Sequence, residues 1–123
     1  MSQPLPDVLD RARLVALVDE IGDADLVRET VRMFLDELPD RLSTIRSAVV
    51  SGDPDGIRGA AHALRSPAAM LGVDDVARTT KALEAAAASG DGVSLDSLLV
   101  DVERSGQLCA PALHDYLASP VAG

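Results

Sequence analysis

The chain has 123 residues and a net charge of −9, and it contains one Phe, one Tyr and no Trp. This length suits a single domain, and a core with so few aromatic side chains must be built from aliphatic residues, as in packed helices. Because a strongly acidic chain lacks the basic face that nucleic acids require, we expect no nucleic-acid partner. No apolar run reaches the roughly 20 residues that span a bilayer, so we expect a cytoplasmic protein without a membrane partner.

The first predicted helix follows an aspartate cap near the N-terminus. Asp7 or Asp10 can accept a hydrogen bond from the free amides at the start of a helix that ends at about Ile21. The pair Gly22-Asp23 then ends this helix and caps the next one. The apolar residues at helical spacing, which we expect to face inward, are Leu14, Leu17, Val18 and Ile21.

The second predicted helix is the longest and runs from about Ala24 to Val50. Its apolar residues recur at alternating steps of three and four, which is typical of a helix with one buried face. They are Val27, Val31, Phe34, Leu38, Leu42, Ile45 and Val49. Pro39 removes one backbone hydrogen bond, and it predicts a bend near Asp36 rather than a break.

Three further helices follow, separated by short turns. Ser51-Gly52-Asp53-Pro54 ends the second helix and begins a third, which runs to about Leu71 and is ended by Gly72. A fourth helix starts near Asp74-Asp75 and runs to the turn Ser89-Gly90-Asp91-Gly92. We predict a last helix over about 95–117. Its second half contains two residues that weaken helices and leave its continuity open, Gly106 and Pro111.

Short turns favour antiparallel neighbours, and no segment shows the period-two alternation of a strand. We therefore predict an all-α fold, an antiparallel up-down-up-down four-helix bundle with an additional N-terminal helix, in a single domain over residues 1–123. Cys109 is the one cysteine, which excludes an intramolecular disulfide, and it lies on an apolar stripe where we expect it to be buried. The histidines, His62 and His114, do not have the spacing of a metal site, and no glycine-rich loop indicates a cofactor.

The third helix separates His62 from its apolar residues. At about 100° per residue, the apolar positions fall within an arc of about 80°, and His62 lies about 120–140° from its centre. These positions are Ile57, Ala61, Leu64, Ala68 and Leu71. His62 therefore faces solvent or the rim of the core. The residues on its side of the helix are Arg58, Arg65, Ser66 and Ala69.

Such an imidazole can accept a phosphoryl group. Neutral imidazole is a good nucleophile near neutral pH, and attack by Nε2 of His62 on an aspartyl phosphate would give a phosphohistidine. Arg65 and Arg58 can stabilise the charge on the transferred oxygens, and Glu84 on the next helix can accept from Nδ1–H. The small residues that would let a partner dock are Gly59, Ser66 and Ala69. On spacing alone, a single histidine beside arginines on a helix is more often a solvated surface residue than a functional one.

The motif resembles that of histidine-containing phosphotransfer (HPt) domains. The matching positions are Ala61, His62, Leu64, Arg65, Ser66 and Gly72, with further similarity over 34–42, 51–53 and 83–84. The motif-bearing part spans about 8–90. The family usually has Lys at Arg65, Gly at Ser66 and Ser at Pro67. Because Pro67 lacks an amide to bond the carbonyl of Ala63, we expect a local kink there.

The resemblance implies a phosphocarrier of multistep two-component relays rather than a self-sufficient enzyme. It implies that His62 accepts the phosphoryl group, that Arg65, Arg58 and Glu84 support it, and that receiver domains or a hybrid histidine kinase are the partners. Mg²⁺ would belong to the partner receiver, and the chain would need no cofactor of its own. We expect a monomer.

Two other functions remain open from the sequence. The first is a non-phosphorylated adaptor that binds a receiver or kinase, which the departures at Ser66 and Pro67 favour. The second is a helical dimerisation domain in which His62 has no role. Loss of phosphoryl acceptance on substitution of His62, with receiver binding retained, separates the phosphocarrier from both.

Overall fold

The computed structural model describes residues 8–90 and 92–119. In these ranges the chain forms five helices and no strand, which confirms the predicted all-α class. They are α1 (Arg11–Ile21), α2 (Ala24–Ser51), α3 (Pro54–Met70), α4 (Asp74–Ser89) and α5 (Gly92–Ala118). Asp10 caps α1 by accepting from the amide of Arg13 at 3.2 Å, whereas Asp7, the other predicted cap, lies outside the described residues.

Helices α2 to α5 form a closed four-helix bundle. Each packs on the next along the chain, and α5 returns to pack on α2, while α1 lies against α2. The predicted apolar faces of α2 and α3, together with the buried residues of α4, supply most of the core, which is almost entirely aliphatic. The prediction that Ile21 faces inward is wrong, because this residue, at the end of α1, is 45% exposed. Within α1, Leu14 is the residue that is fully buried.

The last helix is continuous, contrary to the doubt raised by Gly106 and Pro111. Gly106 is buried, and a Cβ atom placed there would lie 3.0 Å from Cδ1 of Leu42. The glycine therefore lets α5 approach α2 closely, and its role is packing rather than helix termination. Cys109 is buried as expected, and burial raises the pKa of its thiol to about 12.

Polar contacts fix α5 against its two neighbours. Arg46 of α2 donates to both carboxylate oxygens of Glu103, at 2.8 and 2.9 Å. The hydroxyls of Thr79 and Ser105 are buried and lie 2.9 Å apart, joining α4 to α5. Each hydroxyl also lies within hydrogen-bond distance of a carbonyl of its own helix, so the pair adds a satisfied polar contact between α4 and α5.

The turn between α3 and α4 holds α1 in place. Gly72 has a φ of +78°, and its carbonyl accepts from the amide of Asp10 at 2.7 Å. A Cβ atom on Gly72 would lie 2.7 Å from the carbonyl oxygen of Asp10 and 2.9 Å from Cβ of Arg13. Glycine is therefore required both by the left-handed backbone and by the close approach of α1.

We expect Gly72→Ala to lower the free energy of unfolding by about 3 kcal/mol, because it adds a steric clash to the strain of a positive φ. Gly90→Ala is the matched control, since Gly90 has a φ of +76° with no atom within 4 Å of an added Cβ. It should cost about 1 kcal/mol. Urea unfolding measures both values. Equal losses of unfolding free energy in the two variants would show that the close approach of α1 to Gly72 adds nothing to the cost of the substitution.

Candidate functional site

The third helix buries one face and presents His62 on the other. The side chain of His62 is 57% exposed. The apolar positions of this helix and the turn after it are all buried: Ile57, Ala61, Leu64, Ala68 and Leu71. The most extensive helix interface is the one between α3 and α4, and it brings Glu84 of α4 next to His62.

Three side chains contact the imidazole ring. Nη2 of Arg65 lies 2.9 Å from Nδ1 of His62, and Oε1 of Glu84 lies 3.5 Å from the same nitrogen. Nε of Arg65 also donates to Oε2 of Glu84. Oγ of Ser66 lies 3.5 Å from Nε2. The structure thus places Arg65, Ser66 and Glu84 beside the ring.

The contact with Arg65 favours one tautomer of the neutral His62 ring. A guanidinium group has donors only, so its hydrogen bond uses the lone pair of Nδ1 in His62. The proton of a neutral ring then lies on Nε2, where Oγ of Ser66 can accept it. Glu84 would favour the other tautomer, since a carboxylate accepts from Nδ1–H. Arg65 and Glu84 therefore compete for one ring nitrogen.

Arg58 and the proposed docking residues lie around this group with different exposure. The guanidinium of Arg58 is 3.7 Å from the carboxylate of Asp55 and forms no hydrogen bond with His62. Gly59 and Ser66 are exposed, and a Cβ atom at Gly59 would have no heavy atom within 4 Å. Ala69 is half-buried, and its carbonyl accepts from Nη1 of Arg13 at 2.9 Å. The open surface is therefore the side of α3 that carries Gly59 and Ser66.

Sequence reasoning missed Arg41, which reaches α3 from α2. Its Nη1 donates to the carbonyl oxygen of Ala63, the residue after His62, at 3.2 Å. The only signal in the sequence was Pro67, which leaves that carbonyl without its helical donor. Nothing in the sequence indicates which side chain replaces the missing amide.

Outside this group, the described chain carries one further histidine and one cysteine, both on α5. Its His, Cys, Asp and Glu residues form no group that could hold a metal ion. None of its helices is long and apolar enough to cross a membrane. His114 is exposed on α5, and Cys109 is enclosed in the core with a raised thiol pKa.

Comparisons with known proteins identify relatives of the chain. The family model described as the Hpt domain matches residues 29–119. The phosphorelay protein LuxU of Vibrio vulnificus, in strains YJ016 and CMCP6, is 30% identical over 87 residues, which are 71% of this chain and 75% of LuxU. The crystal structure of histidine-containing phosphotransfer protein B (HptB) from Pseudomonas aeruginosa PAO1 shares the fold. It aligns with a TM-score of 0.82 and 22% identity, covering 93% of this chain and 96% of HptB.

We expect the neutral ring of His62 to carry its proton mainly on Nε2 and to change tautomer when Arg65 is replaced. In Arg65→Met, the ratio of the Nδ1–H to the Nε2–H form should rise about tenfold, because a hydrogen bond of about 1.4 kcal/mol is lost and Glu84 becomes the stronger partner. Nitrogen-15 NMR of the ring at a pH where it is neutral measures this ratio. Arg58→Met should leave the ratio unchanged. A wild-type ring protonated mainly on Nδ1 would contradict the assignment.

Proposed function

The chain belongs to the Hpt domain family, whose members transfer phosphoryl groups, and from this premise we propose that it is a phosphocarrier in a multistep two-component relay. His62 would accept the phosphoryl group from the aspartyl phosphate of a receiver domain, or from a hybrid histidine kinase, and pass it to another receiver. The observation that carries the proposal is an exposed imidazole within hydrogen-bond distance of a guanidinium, with a carboxylate from a neighbouring helix on the same side of the ring.

The transfer step needs a lone pair on Nε2 of His62. This nitrogen attacks the phosphorus of the aspartyl phosphate, the nitrogen–phosphorus bond forms, and the bond to the aspartate oxygen breaks to release the carboxylate. The ring proton is then on Nδ1, where Oε1 of Glu84, 3.5 Å away, can accept it. Transfer to the next receiver is the same step in reverse. The proposed role of Glu84 is to hold the tautomer and orientation of the ring.

Arg65 changes partners in this scheme. While it donates to Nδ1 of His62, it opposes the reactive tautomer, so it must leave that nitrogen as the phosphoryl group arrives. The oxygens of the phosphoryl group carry spread negative charge and can accept from the same guanidinium. Arg58 is a second candidate cation, because its exposed pair with Asp55 is weak and easily exchanged.

The partner would supply what the chain lacks. We propose that the receiver contributes the aspartate and its bound Mg²⁺, while this chain contributes the nucleophile and needs no cofactor. Gly59 and Ser66 would form the open part of the docking surface, with Ala69 at its half-buried edge. We further propose that the relay is cytoplasmic and that the chain acts as a monomer.

We expect His62→Gln to abolish phosphoryl acceptance while leaving the fold and receiver binding nearly unchanged. The measurement is intact mass after incubation with a phosphorylated receiver, or with a small phosphoramidate as a partner-free donor. Acceptance by the wild type should add a single acid-labile, base-stable phosphoryl group. His114→Gln, which replaces the other exposed histidine, should accept normally. Acceptance retained in His62→Gln contradicts the proposal, and receiver binding without any acceptance by wild type favours the adaptor.

We expect Gly59→Leu to weaken receiver binding by at least about tenfold, because a bulky side chain would stand where the partner must approach. Its fold should be intact, since the space around an added Cβ is open. Isothermal titration against the receiver gives the Kd. Ser97→Leu is the control, an exposed position on α5, whose main packing partners are α2 and α4. Equal affinities for the two variants would place the docking surface elsewhere.

A further inference from the structure

Pro67 leaves the residue directly after His62, Ala63, without its helical hydrogen bond. In a regular helix the amide of residue 67 would donate to the carbonyl of Ala63, but proline has no amide hydrogen, and its ring crowds that carbonyl. The helix nevertheless continues through Pro67 to Met70 without a break. A backbone acceptor deprived of its partner must find another donor or be left to solvent.

The structure supplies that donor from another helix. Nη1 of Arg41 donates to the carbonyl oxygen of Ala63 at 3.2 Å, and Nη2 of Arg41 pairs with Oε2 of Glu37 at 2.7 Å. Glu37 lies one turn earlier on α2, so it fixes the direction of the guanidinium. The side chain of Arg41 is 32% exposed and its pair with Glu37 is partly buried, whereas its hydrogen bond to the Ala63 carbonyl is open to solvent.

The contact crosses a gap between the two helices. A groove of about 180 Å³ lies between α2 and α3, lined among others by Met33, Phe34, Arg41 and Pro67. Side chains on either side of such a groove leave space between the helices, so apolar packing holds this part of α3 less tightly than a filled interface would. Arg41 joins the walls of the groove where Pro67 has weakened the helix.

We propose that Arg41 is a positioning residue for His62, acting as a substitute for the amide that Pro67 lacks. The peptide whose carbonyl it binds lies directly between His62 and the turn that carries Arg65. A shift of this peptide would move both side chains relative to Glu84 on α4, and so change the contacts at Nδ1 of His62. The effect on phosphoryl transfer rests on the function proposed above, whereas the pairing of Arg41 with the Ala63 carbonyl does not.

A double-substitution cycle of Arg41→Met and Pro67→Ala tests the pairing. In the wild-type background, Arg41→Met should lower the folding equilibrium constant about tenfold, because a charge-assisted hydrogen bond is lost. Pro67→Ala restores the backbone donor, so Arg41→Met should cost only about twofold in that background. The lost ion pair with Glu37 affects both backgrounds equally and cancels in the comparison. Urea unfolding of the full chain gives all four values.

The positioning role has readouts of its own. Arg41→Met should change the tautomer ratio of His62 measured by nitrogen-15 NMR, and should slow phosphoryl acceptance about tenfold under conditions where the variant is fully folded. Adding Pro67→Ala should restore both. Arg41→Lys, which keeps a donor and the charge opposite Glu37, should lose less than Arg41→Met. Arg32→Met is the matched control, since Arg32 is an exposed arginine on α2 whose ion pair, with Glu29, stays within that helix.

Each result decides the proposal. Coupling in unfolding, together with a shifted ring tautomer that Pro67→Ala restores, supports it. Additive effects of Arg41→Met and Pro67→Ala on unfolding overturn the pairing. Coupling in unfolding with an unchanged His62 ring overturns the positioning role and leaves Arg41 as a structural contact. A wild type that never accepts phosphate refutes the function proposed above, but the unfolding cycle and the ring tautomer still test this inference.

Discussion

The close packing of α3 on α4 is the constraint on which the rest of the site depends. Two of the buried residues of α3, Ala61 and Ala68, are small, and the helices share the largest interface in the bundle. Small residues at a helix interface let the backbones approach, which brings side chains at the edge of one helix within reach of the other. For this reason a carboxylate on α4, Glu84, contacts an exposed imidazole and a guanidinium on α3.

The resulting charge arrangement holds the guanidinium of Arg65 between the imidazole of His62 and the carboxylate of Glu84. Its guanidinium offers several donors in a fixed plane, so it can bond Glu84 and Nδ1 of His62 at the same time. A lysine has a single ammonium on a flexible stem and would not hold this planar arrangement. The arginine at this motif position therefore links the tautomer of the neutral His62 ring to the position of the guanidinium, and one movement of Arg65 changes both.

Much of the fold follows from local features of the sequence. Helical periodicity identified the buried face of α2, and aspartate and glycine at the turns marked the ends of α1 and α2, because caps and left-handed turns depend on a few adjacent residues. The errors arise where tertiary packing decides. Gly106 weakens a helix in isolation, yet in the bundle it leaves space for the side chain of Leu42. Ile21 fits the helical stripe but lies beyond the reach of the core.

The site was predictable to the same extent and for the same reason. Helical spacing placed His62 away from the core and beside Arg65, which requires only the geometry of one helix. Glu84 could be chosen as a candidate because it was expected on the neighbouring helix. Its direct pairing with Arg65 could not be inferred from either helix alone. Arg41 lies in a different helix from Ala63, and only the three-dimensional packing of α2 on α3 brings them together.

Pro67 shows how the bundle changes the meaning of a local residue. On an isolated helix it would remove a hydrogen bond and favour a bend directly after the histidine, at a cost of about 3 kcal/mol. In the folded chain a guanidinium from α2 donates to the carbonyl that has lost its amide, so part of the penalty is offset by a contact that an unbroken helix would not form. The orientation of the histidine therefore depends on α2 as well as on α3. A residue unfavourable to one helix has become a means of connecting two.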